Sequence, residues 1–168
     1  MKQTNKNFIF NVGYQMLMYL FPLVSSAYVS RILGAENLGT YAYVNSIGTI
    51  CGMFGLLGIS NYGNREVAKV RDDRKILSNI FSSIYTLQII LSSLVLILFS
   101  LFAIVSNVEN RTLYFIQIIH LLSVLFDISW LFFGLEKFKI TLTRNFVVKV
   151  ISTVLIFVFV NSRNDLWI

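Results

Sequence analysis

The sequence predicts an all-α fold, a polytopic bundle of transmembrane helices, and three observations lead there. Of 168 residues, 56% are hydrophobic and 13% charged, with a mean hydropathy of +0.72. Soluble domains carry about 25% charged residues, and a chain this short has too little interior to hide the apolar surplus. The apolar runs also stay apolar on every face, as from Ile89 to Val105, where a membrane β-strand would alternate. Finally, Lys and Arg sort between alternate loops, as loops on the two sides of a membrane do.

Crossing about 30 Å of hydrocarbon takes roughly 20 helical residues. Five spans fit the chain, at 8–29, 41–62, 80–105, 113–135 and 142–160. The transmembrane domain therefore occupies the whole of 1–168. A polar turn, Asn161-Ser-Arg-Asn-Asp165, follows, and Leu166-Trp167-Ile168 reads as the opening of a sixth span.

Span one carries Asn11, Gln15, Pro22 and Ser26 at steps of 4, 7 and 4, which share a helical face. Pro22 cannot donate to the carbonyl of Met18, so a bend is expected there. The rival reading, a cleaved signal peptide ending at Ser25-Ser26-Ala27, meets an apolar stretch longer than the roughly 7 to 15 residues of a signal core. Span two places Gly48, Gly52, Gly55 and Gly58 beside Ser46 and Thr49, a spacing that lets another helix approach closely.

Span four is the most informative. Gln117, His120, Ser123, Asp127, Trp130 and Gly134 follow at steps of 3, 3, 4, 3 and 4, which predicts a single polar stripe. Asp127 stands about nine residues from the cytoplasmic end, roughly 13 Å at 1.5 Å per residue. An aspartate at that depth costs roughly 2.5 to 3.5 kcal/mol on insertion scales, so it faces a helix partner or a wet pathway. His120 is read either as bonded to a backbone carbonyl or as part of that pathway. In span five Lys149 either snorkels to the cytoplasmic headgroups or meets an anionic substrate.

Eleven of the 14 basic residues fall on the N-terminal side: Lys2, Lys6, Arg65, Lys69, Arg71, Arg74, Lys75, Lys137, Lys139, Arg144 and Lys149. Arg31, Arg111 and Arg163 fall on the other. The bias puts the N-terminus in the cytoplasm. It also accounts for the net charge of +6 through anionic headgroups, with no nucleic acid as partner. An enzyme would bring a nucleophile, a base and an orienting group to one depth. His120 and Asp127 are seven residues apart, roughly 10 Å along a straight helix, so they form no dyad. No phosphate-binding loop or hydrolase motif is present, Cys51 is the single cysteine, and no metal or cofactor is expected.

Three segments together resemble a known family: Arg31-Ile-Leu-Gly34-Ala-Glu36-Asn-Leu-Gly39-Thr-Tyr41, Gly58-Ile-Ser-Asn-Tyr62-Gly63-Asn-Arg65-Glu66-Val-Ala68, and Asp127-Ile-Ser-Trp130-Leu-Phe-Phe-Gly134-Leu-Glu136-Lys-Phe138. The arrangement resembles the N-terminal part of bacterial polysaccharide flippases, the lipid-linked oligosaccharide translocases of the multidrug/oligosaccharidyl-lipid/polysaccharide exporter superfamily. The resemblance implies a two-lobed, multi-pass carrier of the bacterial plasma (inner) membrane. Such a carrier moves undecaprenyl-pyrophosphate-linked repeat units outward by alternating access, for capsule, O-antigen or exopolysaccharide. It makes and breaks no bond. Asp127, His120, Gln117, Ser123, Asn11 and Gln15 are the candidate lining of its substrate pathway, and Arg31, Arg65 and Lys149 the candidate phosphate contacts. Implied partners are the bilayer, the lipid-linked oligosaccharide, the C-terminal half of the transporter, and a polysaccharide polymerase or glycosyltransferases. The chain supplies less than one lobe, so by itself it is expected to be inactive. Two other functions fit the residues: a cation-coupled drug or metabolite antiporter of the same superfamily, and a small membrane scaffold assisting a glycosyltransferase.

Overall fold

The computed structural model describes residues 2–105, 110–163 and 165–167, with side chains described at Met16 and from Met18 onward. The described residues form helices and turns, with no strand among them. In order they are α1 (Lys2–Leu56), α2 (Ile59–Val70), α3 (Arg74–Val105), α4 (Arg111–Leu125), α5 (Ser129–Gly134) and α6 (Phe138–Phe159), with a 3-10 turn at Asp165–Trp167. Four stretches are long and apolar enough to cross a membrane: Met18–Val70, Arg74–Val105, Arg111–Gly134 and Phe138–Phe159.

The expected boundaries shift in three places. The loop expected between spans one and two contracts to a single non-helical residue inside α1, Gly34 (φ 78°, ψ 170°). Without a Cβ, glycine reaches that conformation without steric cost. Span two ends early, because Leu57 (φ 37°) and Gly58 (φ 77°) turn left-handed and α2 starts afresh at Ile59. Span four is interrupted at Phe126–Ile128, between α4 and α5.

The chain divides into two compact units, 1–39 with 142–166, and 40–141. In the first, the Phe21 ring meets Phe146 edge-on at 6.2 Å and Tyr28 meets Phe157 at 4.4 Å. The Tyr28 hydroxyl donates to the Val160 carbonyl (3.0 Å), and the Asn37 amide to the Arg163 carbonyl (2.8 Å). Partners ascend together along the chain, so α1 and α6 run parallel here. Beyond α6 the Asp165 carboxylate accepts from the backbone N–H groups of Asn161 (2.9 Å) and Ser162 (2.7 Å). These bonds stabilise its charged form and hold its pKa below the usual carboxylate range.

In the second unit, glycines admit close neighbours. A Cβ on Gly48 would strike the Gln117 side chain, one on Gly52 would lie 3.5 Å from Val124, and one on Gly55 would lie 3.2 Å from Ser92 Oγ. Gly58 differs from its three predecessors: a Cβ there would meet nothing within 4 Å. Its service is the left-handed turn. The final stretch of α1 runs parallel to α4, since Gly48 and Gly52 meet residues in ascending order. α3 and α4 form an antiparallel hairpin, with Tyr114 against Phe99 and Phe102. Arg111 closes it, donating from Nε to the Ala103 carbonyl (3.1 Å) and from its terminal nitrogen to Ile104. A cation on the last carbonyls of a helix also meets the negative end of its dipole.

Candidate functional site

α3 buries Ile84, Gln88, Ser92, Phe99 and Ala103, and the two polar members stand one helical turn apart. Each faces a break in another helix. The left-handed residues at 57 and 58 deprive the Gly55 carbonyl of its helical donor, and the Ser92 hydroxyl donates to it (3.1 Å). The interruption at Phe126–Ile128 likewise leaves carbonyls at the end of α4 short of helical donors, although that of Val124 still accepts from the Asp127 N–H (3.2 Å). Gln88 Nε2 stands 3.2 Å from Val124 O, 3.3 Å from Leu125 O and 2.9 Å from Asp127 O, while its Oε1 accepts from the Trp130 indole (2.9 Å). Where water is excluded, a bare carbonyl costs several kcal/mol. Polar residues of α3 therefore let two helices break.

Gln88 is 0% exposed, and it lies on span three, outside the polar stripe of span four that the sequence makes conspicuous. The available signal was an amide at the start of a long apolar run, which marks a buried partner.

Asp127 sits in the second break. Its Oδ1 accepts from the backbone N–H of Ser129 (3.0 Å) and from the Ser129 hydroxyl, forming an Asx-type turn into α5. α5 then packs along α2. A Cβ on Gly63 would lie 2.6 Å from the Trp130 ring, and one on Gly134 would lie 2.6 Å from Val67 and 2.8 Å from the Asn64 carbonyl oxygen. Ile59, Val67, Ile84 and Trp130 form the buried cluster between α2, α3 and α5. At the far end Arg71 pairs with Glu136, whose carboxylate raises the arginine pKa further. Two of the three segments behind the family resemblance are thus the two sides of one packing interface.

The single stripe expected on span four divides within α4 and again at the break. Gln117 is buried over Gly48 with its Nε2 lacking a partner. His120 and Ser123 are exposed, Ser123 donating to the His120 carbonyl (2.6 Å). Asp127 is half-buried, and Trp130 and Gly134 are buried. Two causes act: each step of three falls about 60° short of a full helical turn, so Gln117 and Ser123 already lie about 120° apart within α4, and beyond Leu125 the break removes the helical phase altogether. Arg65 is exposed, 3.4 Å from Glu66 and over the Tyr62 ring at 6.0 Å. It stands beside an open groove of about 190 Å³ lined by Tyr62, Glu66, Asn79, Ile80, Ser83 and Ile84. Arg31 is exposed and Lys149 half-buried in the other unit. The side chains of Asn11 and Gln15 lie outside the described residues.

Long apolar helices, interrupted and mended by buried polar side chains, define a multi-pass membrane protein of the helical-bundle class. The chain belongs to the polysaccharide biosynthesis protein family, whose sequence profile matches residues 4–168. It is 27% identical over 163 residues to a protein of Escherichia coli K12 described as "Putative O-antigen transporter", covering 96% of this chain and 39% of that one. A Shigella dysenteriae protein of the same description is 26% identical over 151 residues, 88% of this chain and 37% of its own length. The chain thus spans about two-fifths of the curated relatives it matches. No solved structure is significantly similar to it.

Proposed function

We propose that the protein takes part in moving undecaprenyl-pyrophosphate-linked oligosaccharide repeat units from the cytoplasmic to the outer leaflet of the bacterial inner membrane, by alternating access, for surface polysaccharide assembly. The observation that carries this reading is the similarity along 96% of the chain to a relative described as an O-antigen transporter. No bond is made or broken in such a step. Fixed cations among Arg31, Arg65 and Lys149 would compensate a pyrophosphate leaving water, and Asp127, with Gln117, His120, Ser123, Asn11 and Gln15, would line the sugar path. The complementary partners would be the rest of the transporter and the enzymes that build and polymerise the repeat unit. A chimera in which residues 4–168 replace the matching segment of the E. coli relative is expected to restore surface O-antigen in a strain lacking that relative. Residues 1–168 alone are expected to insert without restoring it. A chimera of normal membrane abundance that exports nothing would overturn the reading.

Five crossings with a cytoplasmic N-terminus complete the proposal. Met18–Val70, at 53 residues, would extend roughly 80 Å as one rod, far beyond about 30 Å of hydrocarbon. A reversal near Gly34 resolves this, and the parallel course of α1 and α6 supports it. Spans running the same way are separated by an even number of reversals, and the later ones near residue 72, between α3 and α4, and near residue 136 supply three. In a Cys51→Ser background, cysteine at Asp72 is expected to resist an impermeant thiol reagent in intact cells, and cysteine at Asn110 to react. The opposite pattern would invert the orientation.

A further inference from the structure

We propose that Gln88 is a positioning residue for Asp127, holding the turn that presents the Asp127 carboxylate without itself touching substrate. The inference rests on the transport reading above for its consequence in transport, and on geometry alone for the positioning. Indole Nε1–H can only donate, so the Gln88 atom facing it must be oxygen. Trp130 thereby orients the amide, and the NH₂ group has one direction left, toward the carbonyls of Val124, Leu125 and Asp127. Three carbonyls share two protons there. The same side chain grips residue 127 through its backbone and residue 130 through its ring, on either side of Ser129, whose N–H and hydroxyl hold the carboxylate.

The Val124 carbonyl also accepts from the Asp127 N–H (3.2 Å), and Gln88 ties that carbonyl to those of Leu125 and Asp127 through one amide. Gln88 is fully buried, and losing its amide removes a donor from the partly buried carbonyls it bridges, which weakens the turn. Glutamate in its place keeps the shape and the acceptor for Trp130. It loses the NH₂ and sets a carboxyl group against three carbonyl oxygens. Leucine loses both functions.

The test uses Gln88→Glu and Gln88→Leu in a full-length transporter carrying this chain, in nanodiscs for hydrogen exchange and in proteoliposomes with undecaprenyl-pyrophosphate-linked oligosaccharide for flipping. Amide exchange across residues 125–131 is expected to rise about tenfold in both variants, with residues 96–103 of α3 unchanged. Flipping should fall by about the same factor at unchanged abundance. Adding Asp127→Asn should then cost no more than the worse single change, because the two act through one group. Unchanged exchange at 125–131 overturns the inference. So do losses that multiply in the double variant, and so does abundance falling in step with flipping in both variants, because Gln88 would then only hold the fold. If Asp127→Asn alone flips normally while exchange still rises in the Gln88 variants, the transport role of Asp127 fails and the positioning of its turn stands.

Discussion

Gly134→Ala is expected to lower the melting temperature and yield of the detergent-solubilised protein, at a cost of about 1 to 3 kcal/mol, the usual range for overpacking. The added methyl would lie 2.6 Å from Val67 Cβ and Cγ1 and 2.8 Å from the Asn64 carbonyl oxygen. The valine can be trimmed but the carbonyl cannot, because it belongs to the backbone of α2. Val67→Ala should therefore restore part of the loss and leave part. Gly63→Ala strikes the Trp130 ring across the same interface, so the two glycine changes should combine to less than their sum. Unchanged melting in Gly134→Ala would mean that α2 and α5 do not pack as described.

Asp127→Asn is expected to reduce flipping by thirtyfold or more while membrane abundance stays within about twofold, if the carboxylate meets substrate or a coupling ion. Losing one partner of a desolvated charge pair typically costs about 2 to 5 kcal/mol. Asparagine keeps an oxygen to accept from the Ser129 N–H and hydroxyl, so the turn survives. It also removes an insertion cost of roughly 2.5 to 3.5 kcal/mol. Asp127→Ala loses the acceptor as well and should lower both flipping and abundance. A structural carboxylate behaves differently: if it neutralises a buried cation, Asp127→Asn strands that charge and destabilises the protein by about 3 to 5 kcal/mol. Flipping assays beside melting temperature and yield separate the two. Normal flipping, or yield lost in step with it, would remove Asp127 from the pathway.

Much of the fold was legible in the chain because bilayer insertion is a local requirement. Each span must be apolar over its own length, and each loop carries its own charge, so span-sized windows found α3 and α6 and the approximate extent of α4 with α5. The glycines of span two signalled close packing for the same reason: a missing side chain is a property of the residue. The motifs identified the family, yet their linear order did not reveal that the second and third pack on each other through Gly63, Trp130, Val67 and Gly134.

The breaks at Leu57–Gly58 and Phe126–Ile128 were not legible, because a helix in an apolar medium breaks only where something distant donates to its freed carbonyls. Those donors are Gln88 and Ser92, 30 or more residues away. The stripe of Gln117, His120, Ser123 and Asp127 took steps of three as aligned, though each drifts about 60°, and took the helix as unbroken up to Asp127; the structure divides it on both counts. What the sequence determined by itself was the helical membrane architecture, its charge asymmetry and its family, all set by residue-level solubility and local motif. What only tertiary structure decided was where the helices stop and which side chain holds Asp127, since those depend on hydrogen bonds between residues far apart in the chain and adjacent in space.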